Sequence, residues 1–234
     1  MKIGILQCDQ VHEKFIAEHG PYPDMFAALL HEADPSLTFV VYDVEHGEFP
    51  QEINAADAYL ITGSHHSVND DFPWIATLEN FVRQLHAANK KVVGICFGHQ
   101  LIAKALGGKV IKSPKGWGIG MSNNQITQQK PWMNPPQDKL HLLVSHQEQV
   151  VELPSDAEVL ARSDFCPFYL LQIKENLFTV QGHPEFSKDY SKALIEERKD
   201  ILGKEHLEQG IMSLTGDLDS GLFAKWIVNF LDEK

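Results

Sequence analysis

The stretch VVGICFGHQLIAKALGGKV, residues 92–110, changes character at a single residue. Before Cys96 the chain is apolar and β-branched, as a buried strand would be. After it, apolar residues recur at helical spacing until Gly107-Gly108, a natural C-terminal stop. Cys96 therefore sits where a strand turns sharply into a helix, with Gly94 and Gly98 on either side. Glycines at those places let the turn close tightly and let neighbouring backbone come near. This is the layout of a nucleophile elbow, with a thiol in place of the usual hydroxyl. The positive end of the helix dipole favours a thiolate there. The backbone N–H of Phe97 would face the same space, ready for a developing oxyanion. A lone cysteine is more often a buried structural residue. The strand before it and the two glycines argue for a nucleophile.

Outward from this stretch the rhythm repeats. Residues 2–8 (KIGILQC), 37–44 (LTFVVYDV) and 55–64 (AADAYLITGS) read as strands. Residues 21–33 (PYPDMFAALLHEA) have helical spacing, and 73–90 place Trp74, Ile75, Leu78, Phe81, Val82 and Leu85 on one helical face. Residues 91–95 form the next strand and 97–108 the next helix. Such alternation implies an α/β fold with a mostly parallel central sheet and helices on both faces. Ligands in these sheets bind beyond the carboxyl ends of the strands, where Cys96 and Gly63-Ser64 both fall. Residues 109–182 differ. Short strand-like runs split by Pro, Asn and Asp predict a small antiparallel portion appended to the parallel sheet. Residues 187–203 and 219–234 return to amphipathic helix. No repeat, linker or low-complexity segment divides the chain, so residues 1–234 read as one domain.

The bulk properties bound the function. With 234 residues, 43% of them hydrophobic, the chain has ample material for a core. A net charge of −12 without a basic patch argues against nucleic acid. No apolar run approaches the ~18 residues of a membrane span, and MKIGILQCDQ enters a strand with no leader. Cys8, Cys96 and Cys166, odd in number and far apart, make a poor disulfide framework and suit a reducing cytoplasm.

A nucleophilic cysteine needs a base, and the base needs an orienting group. FTVQGHPEF (178–186) offers both. His183 follows a strand-like run, and Pro184 favours extended backbone at His183. In that shape His183 and Glu185 leave the same side, so the carboxylate can accept the Nδ1 proton and aim Nε2 at the thiol. With twelve histidines in the chain, a solvated surface turn is the plain alternative.

Taken together, GICFGHQ and QGHPEF resemble the signature of the class I (triad-type) glutamine amidotransferases, closest to the glutaminase domain of GMP synthetase and its stand-alone relatives. YLITGSHHSV (59–68) resembles the family's oxyanion segment and VSHQEQV (144–150) its glutamine-contact segment, in matching order along nearly the whole chain. The resemblance implies a flavodoxin-like class I glutaminase fold. It implies Cys96 as nucleophile, His183 as base and Glu185 as orienter. Phe97 and the Gly63-Ser64 region would supply oxyanion donors, and Gln100, Ser145, His146 and Gln147, with Glu148 at the loop's end, would touch the substrate. It implies no cofactor and no metal. The chain departs from the family at Gly63-Ser64-His65, where two glycines and a proline are usual, so preformation of the oxyanion hole is open.

Three functions fit these residues. The first is a glutaminase releasing ammonia from glutamine and supplying a separate synthetase subunit. The second is a stand-alone γ-glutamyl peptidase, differing only in its leaving group. The third is a non-catalytic redox-sensing or binding relative. No phosphate-binding loop for a synthetase half is present in the sequence. His65-His66 invites a metal reading, but adjacent side chains diverge and no matched ligand lies at the right spacing; these residues read as pocket mouth or solvent. His19 reads as an ordinary loop residue, and Cys8 and Cys166 as structural. Residues 187–218, longer than a minimal glutaminase domain needs, read as a solvated amphipathic helix pair, with a lid or partner surface as the alternative.

Overall fold

The computed structural model describes residues 1–233. In chain order the elements are β1 (Lys2–Gln7), α1 (Glu13–His19), α2 (Tyr22–Ala33), β2 (Thr38–Asp43), β3 (Ala58–Ile61), α3 (Pro73–Ala87), β4 (Val92–Ile95), α4 (Phe97–Ala105), β5 (Lys109–Lys112) and β6 (Gly118–Ile126). There follow β7 (Lys139–His146), β8 (Glu148–Glu152), β9 (Ala157–Arg162), β10 (Leu170–Ile173), β11 (Leu177–Val180), α5 (Lys188–Glu197), α6 (Lys199–Leu202), α7 (Lys204–Ser213) and α8 (Ser220–Asp232).

The expected α/β architecture is present. Nine strands form one sheet in the order β2-β1-β3-β4-β11-β10-β9-β6-β7. From β2 to β11 all neighbours are parallel. From β11 to β7 they are antiparallel, so the antiparallel portion continues the same sheet. A separate ribbon pairs β5 with β8. The seam is β11, parallel to β4 on one side and antiparallel to β10 on the other. Reading LFTV only as part of a meander missed its seat inside the parallel half. All four of its residues are buried, and such a strand carries no face alternation to declare its place.

Period-two alternation sorts the parallel strands onto two cores. Ile3, Ile5, Ala58, Leu60, Val93 and Ile95 face a cluster completed by Phe26 and the α8 residues Phe223, Trp226 and Phe230. Leu6, Tyr59, Ile61 and Val92 face the other, built with Ile75, Leu78 and Val82 of α3 and Leu101 and Ile102 of α4. Burying one such side chain stabilises by roughly 1.5–3 kcal/mol, and the two clusters together fix the sheet between its helices. Gly4 is small because a Cβ there would meet the Tyr59 ring at 2.6 Å.

Two elements depart from the sequence reading. The polar segment after β1 contains α1, seven residues with none buried, too short and too polar for its period to show. Residues 187–213 form three helices rather than a solvated pair. Ile195 of α5 and Leu214, just past α7, are buried in a third cluster with Leu143, Phe186 and Tyr190, and Leu207, Ile211 and Ile119 pack against it. Among the described residues, no helix is long and apolar enough to cross a membrane.

The topology sets the site. Strands β1, β3, β4 and β11 are consecutive neighbours and run in one direction. Their carboxyl ends deliver Cys8-Asp9, Thr62-Gly63, Cys96 and Gln181–Glu185 to one edge of the sheet.

Candidate active site

Cys96 caps α4 with φ 49° and ψ −96°, a conformation costly for a residue with a side chain. The surroundings hold it there. Its N–H donates to the Val180 carbonyl at 2.8 Å, and its carbonyl accepts from the Gln100 N–H at 3.1 Å. Both flanking glycines are sterically required. A Cβ on Gly94 would lie 2.8 Å from the Gly98 carbonyl group, and one on Gly98 would lie 2.6 Å from the Ile61 oxygen. The sharp strand-to-helix turn expected from the sequence is therefore present. Phe97 is the first residue of α4, so its N–H has no intrahelical acceptor and is free to bind an anion.

His183 follows β11, its N–H donating to the Leu143 carbonyl at 2.7 Å. Its Nδ1 lies 2.7 Å from Glu185 Oε1. Its ring stacks on Phe186 with centroids 3.9 Å apart and planes 10° from parallel. The Glu185 side chain is 1% exposed, and its Oε2 has no partner among the described residues. Burial opposes a charge on His183. The Glu185 carboxylate and the Cys96 sulfur outweigh that penalty and push the imidazole up to about 10. The ring is thus held as imidazolium at neutral pH, the acid a departing amine needs and the counter-charge a thiolate needs.

Gly63 closes the third side. A Cβ there would be 2.8 Å from His183 Cε1 and 3.8 Å from the Cys96 Cβ, so its backbone lies against both. The turn is clamped to the end of β1. Asp9 Oδ2 accepts from the His65 N–H at 2.8 Å and lies 2.9 Å from His65 Nδ1. Thr62 Oγ1 accepts from the Cys8 N–H at 2.9 Å and donates to the Gly63 carbonyl at 3.0 Å. Sequence reading missed Asp9, for no local pattern links a carboxylate to a turn 56 residues on.

A cavity of about 290 Å³ opens over Cys96 and Phe97. Ser64, from the expected oxyanion region, lines it, as do Gln100, Ser145, His146 and Gln147, the expected substrate contacts, and Glu148. Gln100 commits its Nε2 to the Glu148 carbonyl at 2.8 Å and to Gln181 Oε1 at 3.0 Å, which leaves its own Oε1 for a ligand. Gln181 in turn donates to Cys96 Sγ at 3.5 Å, a contact the sequence did not single out. His146 lies 3.1 Å from the Glu148 carbonyl through Nδ1, and burial pushes it down to about 4, so it is neutral. His65 and His66 also line the cavity, with His66 3.0 Å from Glu45. His19 lies outside it, 5.1 Å from the Tyr190 ring. Lys112, Trp117 and Arg198 complete the wall. Arg198 is one of several cations in a mixed-charge helical run, with Lys199 beside it, and no sequence signal says that it faces inward.

Burial pushes Cys8 well up and Cys166 up to about 12, so neither ionises near neutrality.

Residues 24–199 match the family model of the class-I glutamine amidotransferases. Gamma-glutamyl peptidase 4 of Arabidopsis thaliana is 33% identical over 91% of this chain and 88% of its own length. A glutamine-hydrolyzing GMP synthase subunit of Pyrococcus abyssi is 36% identical over 46% of this chain and 57% of its own. A glutamine amidotransferase crystal structure from Thermotoga maritima superposes with a TM-score of 0.78, covering 100% of this chain and 99% of that one, at 17% identity.

Proposed function

The chain belongs to the class-I glutamine amidotransferase family, and on that premise we propose that it hydrolyses a γ-glutamyl amide bond with Cys96 as nucleophile, His183 as acid and base, and Glu185 as orienter. The observation that carries this reading is the buried 2.7 Å His183–Glu185 pair delivered to the same sheet edge as the strained Cys96 elbow. In the proposed reaction the Cys96 sulfur adds to the γ-carbonyl carbon. Charge develops on the carbonyl oxygen, facing the Phe97 N–H and the backbone of Gly63-Ser64. The C–N bond then breaks as nitrogen takes the His183 proton, and the amine leaves. A water gives a proton to His183 and adds to the γ-glutamyl thioester. The C–S bond breaks with the sulfur leaving as thiolate, which restores the thiolate–imidazolium pair and releases glutamate, its γ-carboxyl proton passing to solvent. Every step is proton or acyl transfer, for which the residues present suffice.

Two leaving groups fit. Glutamine would release ammonia, and a separate synthetase subunit would consume it. A γ-glutamyl peptide would release an amino compound and need no partner. The similarity to a peptidase across nearly both full lengths, against under half of this chain for the synthase relative, favours the second.

The test is turnover by the purified chain alone on glutamine, glutathione and a γ-glutamyl dipeptide, following glutamate and ammonia, with Cys96→Ser as control. Cys96-dependent cleavage of any of them supports the reading. Cleavage that survives Cys96→Ser contradicts it, and cleavage of glutamine alone points to the ammonia-supplying role.

A further inference from the structure

Two cations reach the cavity over Cys96. Lys112 is on β5, and Arg198 is at the junction of α5 and α6. Among the described residues neither makes a salt bridge. The carboxylates of the same wall are already engaged. Asp70 accepts from the Ser67 N–H at 2.9 Å, and Glu148 accepts from the Ser67 hydroxyl at 2.6 Å. The Arg198 guanidinium is half-buried, centred 5.1 Å over the Trp117 ring, with Nη1 donating to the Leu194 carbonyl at 3.1 Å. Burial pushes it down from its ordinary value, and it lines the same cavity as Cys96. A half-buried, unpaired guanidinium on an aromatic plate is a poor structural element and a good carboxylate fork.

The charge count matters. The γ-glutamyl half of a substrate carries one carboxylate, which one cation satisfies. This cavity has two. Trp117, under Arg198, also walls a second cavity of about 550 Å³ that shares His146 with the first and lies against Phe165, Tyr169 and His206. Lys112 and Arg198 both line only the first cavity; Lys115 lines the second, where its Nζ is committed to the Asp164 carbonyl. Arg198 is thus the cation seated on the ring that both cavities share, beside the space that a leaving group larger than ammonia needs.

We propose that Arg198, seated on Trp117, binds a carboxylate on the leaving side of the scissile bond, so that the enzyme prefers γ-glutamyl amino acids and peptides over neutral γ-glutamyl amides. This rests on the γ-glutamyl hydrolase reading and adds a specificity-determining residue from the three-helix tail.

The experiment compares kcat/KM for γ-glutamylglycine and γ-glutamylglycinamide, which share both reacting atoms and differ in that carboxylate. Wild type should favour the former by about 10–100-fold, mostly through KM, as for a charge-assisted pair. Arg198→Met should bring the ratio toward one, and Arg198→Lys should retain part of it. The ratio is taken within each variant, so partial unfolding of the tail leaves it readable. A wild-type ratio near one, or a preference that survives Arg198→Met, overturns the proposal. So does a wild type that cleaves glutamine but neither dipeptide, although the γ-glutamyl hydrolase reading would then stand. Failure on all three compounds overturns that reading, and this proposal with it.

Discussion

The two walls of the cavity are made in opposite ways. The wall with Cys96, backed by Gly63, His183 and Glu185, is the rim of three adjacent parallel strands, β3, β4 and β11, and each group follows its strand by no more than five residues. The opposite wall, with Trp117 and Arg198, comes from a loop before β6 and a break between two helices of the tail, held by the third cluster. The first is set by backbone hydrogen bonds and glycines that admit no Cβ; the second by side-chain packing and one cation on one ring. Rigid, local geometry suits the bond-breaking groups, for which a displacement of about 1 Å costs about 10²-fold in rate. An adaptable wall suits selection among leaving groups. Substitutions in the first wall should therefore lower kcat, and those in the second should move KM and substrate preference.

The largest effect should come from Cys96→Ala, a loss of about 10⁴-fold or more in kcat with an unchanged thermal midpoint; steady-state kinetics and calorimetry read the two together. Next is Glu185→Gln, which keeps the shape and removes the charge. A fall of about 10²–10⁴-fold in kcat is expected, as for other orienting carboxylates. It carries a pH signature. His183 in the folded chain is raised from 6.5 to about 10, so its stabilisation is complete below about 6.5 and is lost as pH rises through about 10. Wild-type unfolding free energy should fall from pH 7 to 10. In Glu185→Gln that slope should flatten, and the alkaline limb of the rate profile should move to lower pH.

Gly63→Ala tests the first wall without replacing a reacting side chain. Its Cβ would meet His183 Cε1 at 2.8 Å, so the imidazole must shift, and kcat should drop by about 10²-fold with little change in KM. Ile195→Ala tests the second wall. It should cost about 2–4 kcal/mol in chemical denaturation and raise KM for a dipeptide more than it lowers kcat. A kcat effect equal to that of Gly63→Ala would erase the contrast between the walls. The smallest effect belongs to Cys8→Ala and Cys166→Ala. Brief alkylation at neutral pH should label Cys96 first in the wild type, and both variants should keep full turnover.

What the sequence disclosed follows the same division. The Gly94–Gly98 elbow and the His-Pro-Glu spacing are short-range chemistry, and their geometry is visible at Cys96 φ 49° and in the 2.7 Å pair. The parallel rhythm was legible because strands and helices differ in period. The seam at β11 was not, because a strand buried on both faces reads the same in either direction. Asp9 and Arg198 were silent for another reason. Each acts on residues 56 and 81 positions away, and a single charge in a polar run looks solvated until the fold brings its partner near. The tail was misjudged likewise, since Ile195 and Leu214 reveal their burial only against Leu143 and Phe186.

The most direct test is to acid-quench the enzyme during turnover of γ-glutamylglycine and locate any adduct by mass spectrometry of its peptides. A hydroxylamine-labile γ-glutamyl group on the peptide containing Cys96, absent from Cys96→Ala, is the expected result. Sustained turnover with no such adduct, or an adduct on another residue that persists in Cys96→Ala, would contradict the account.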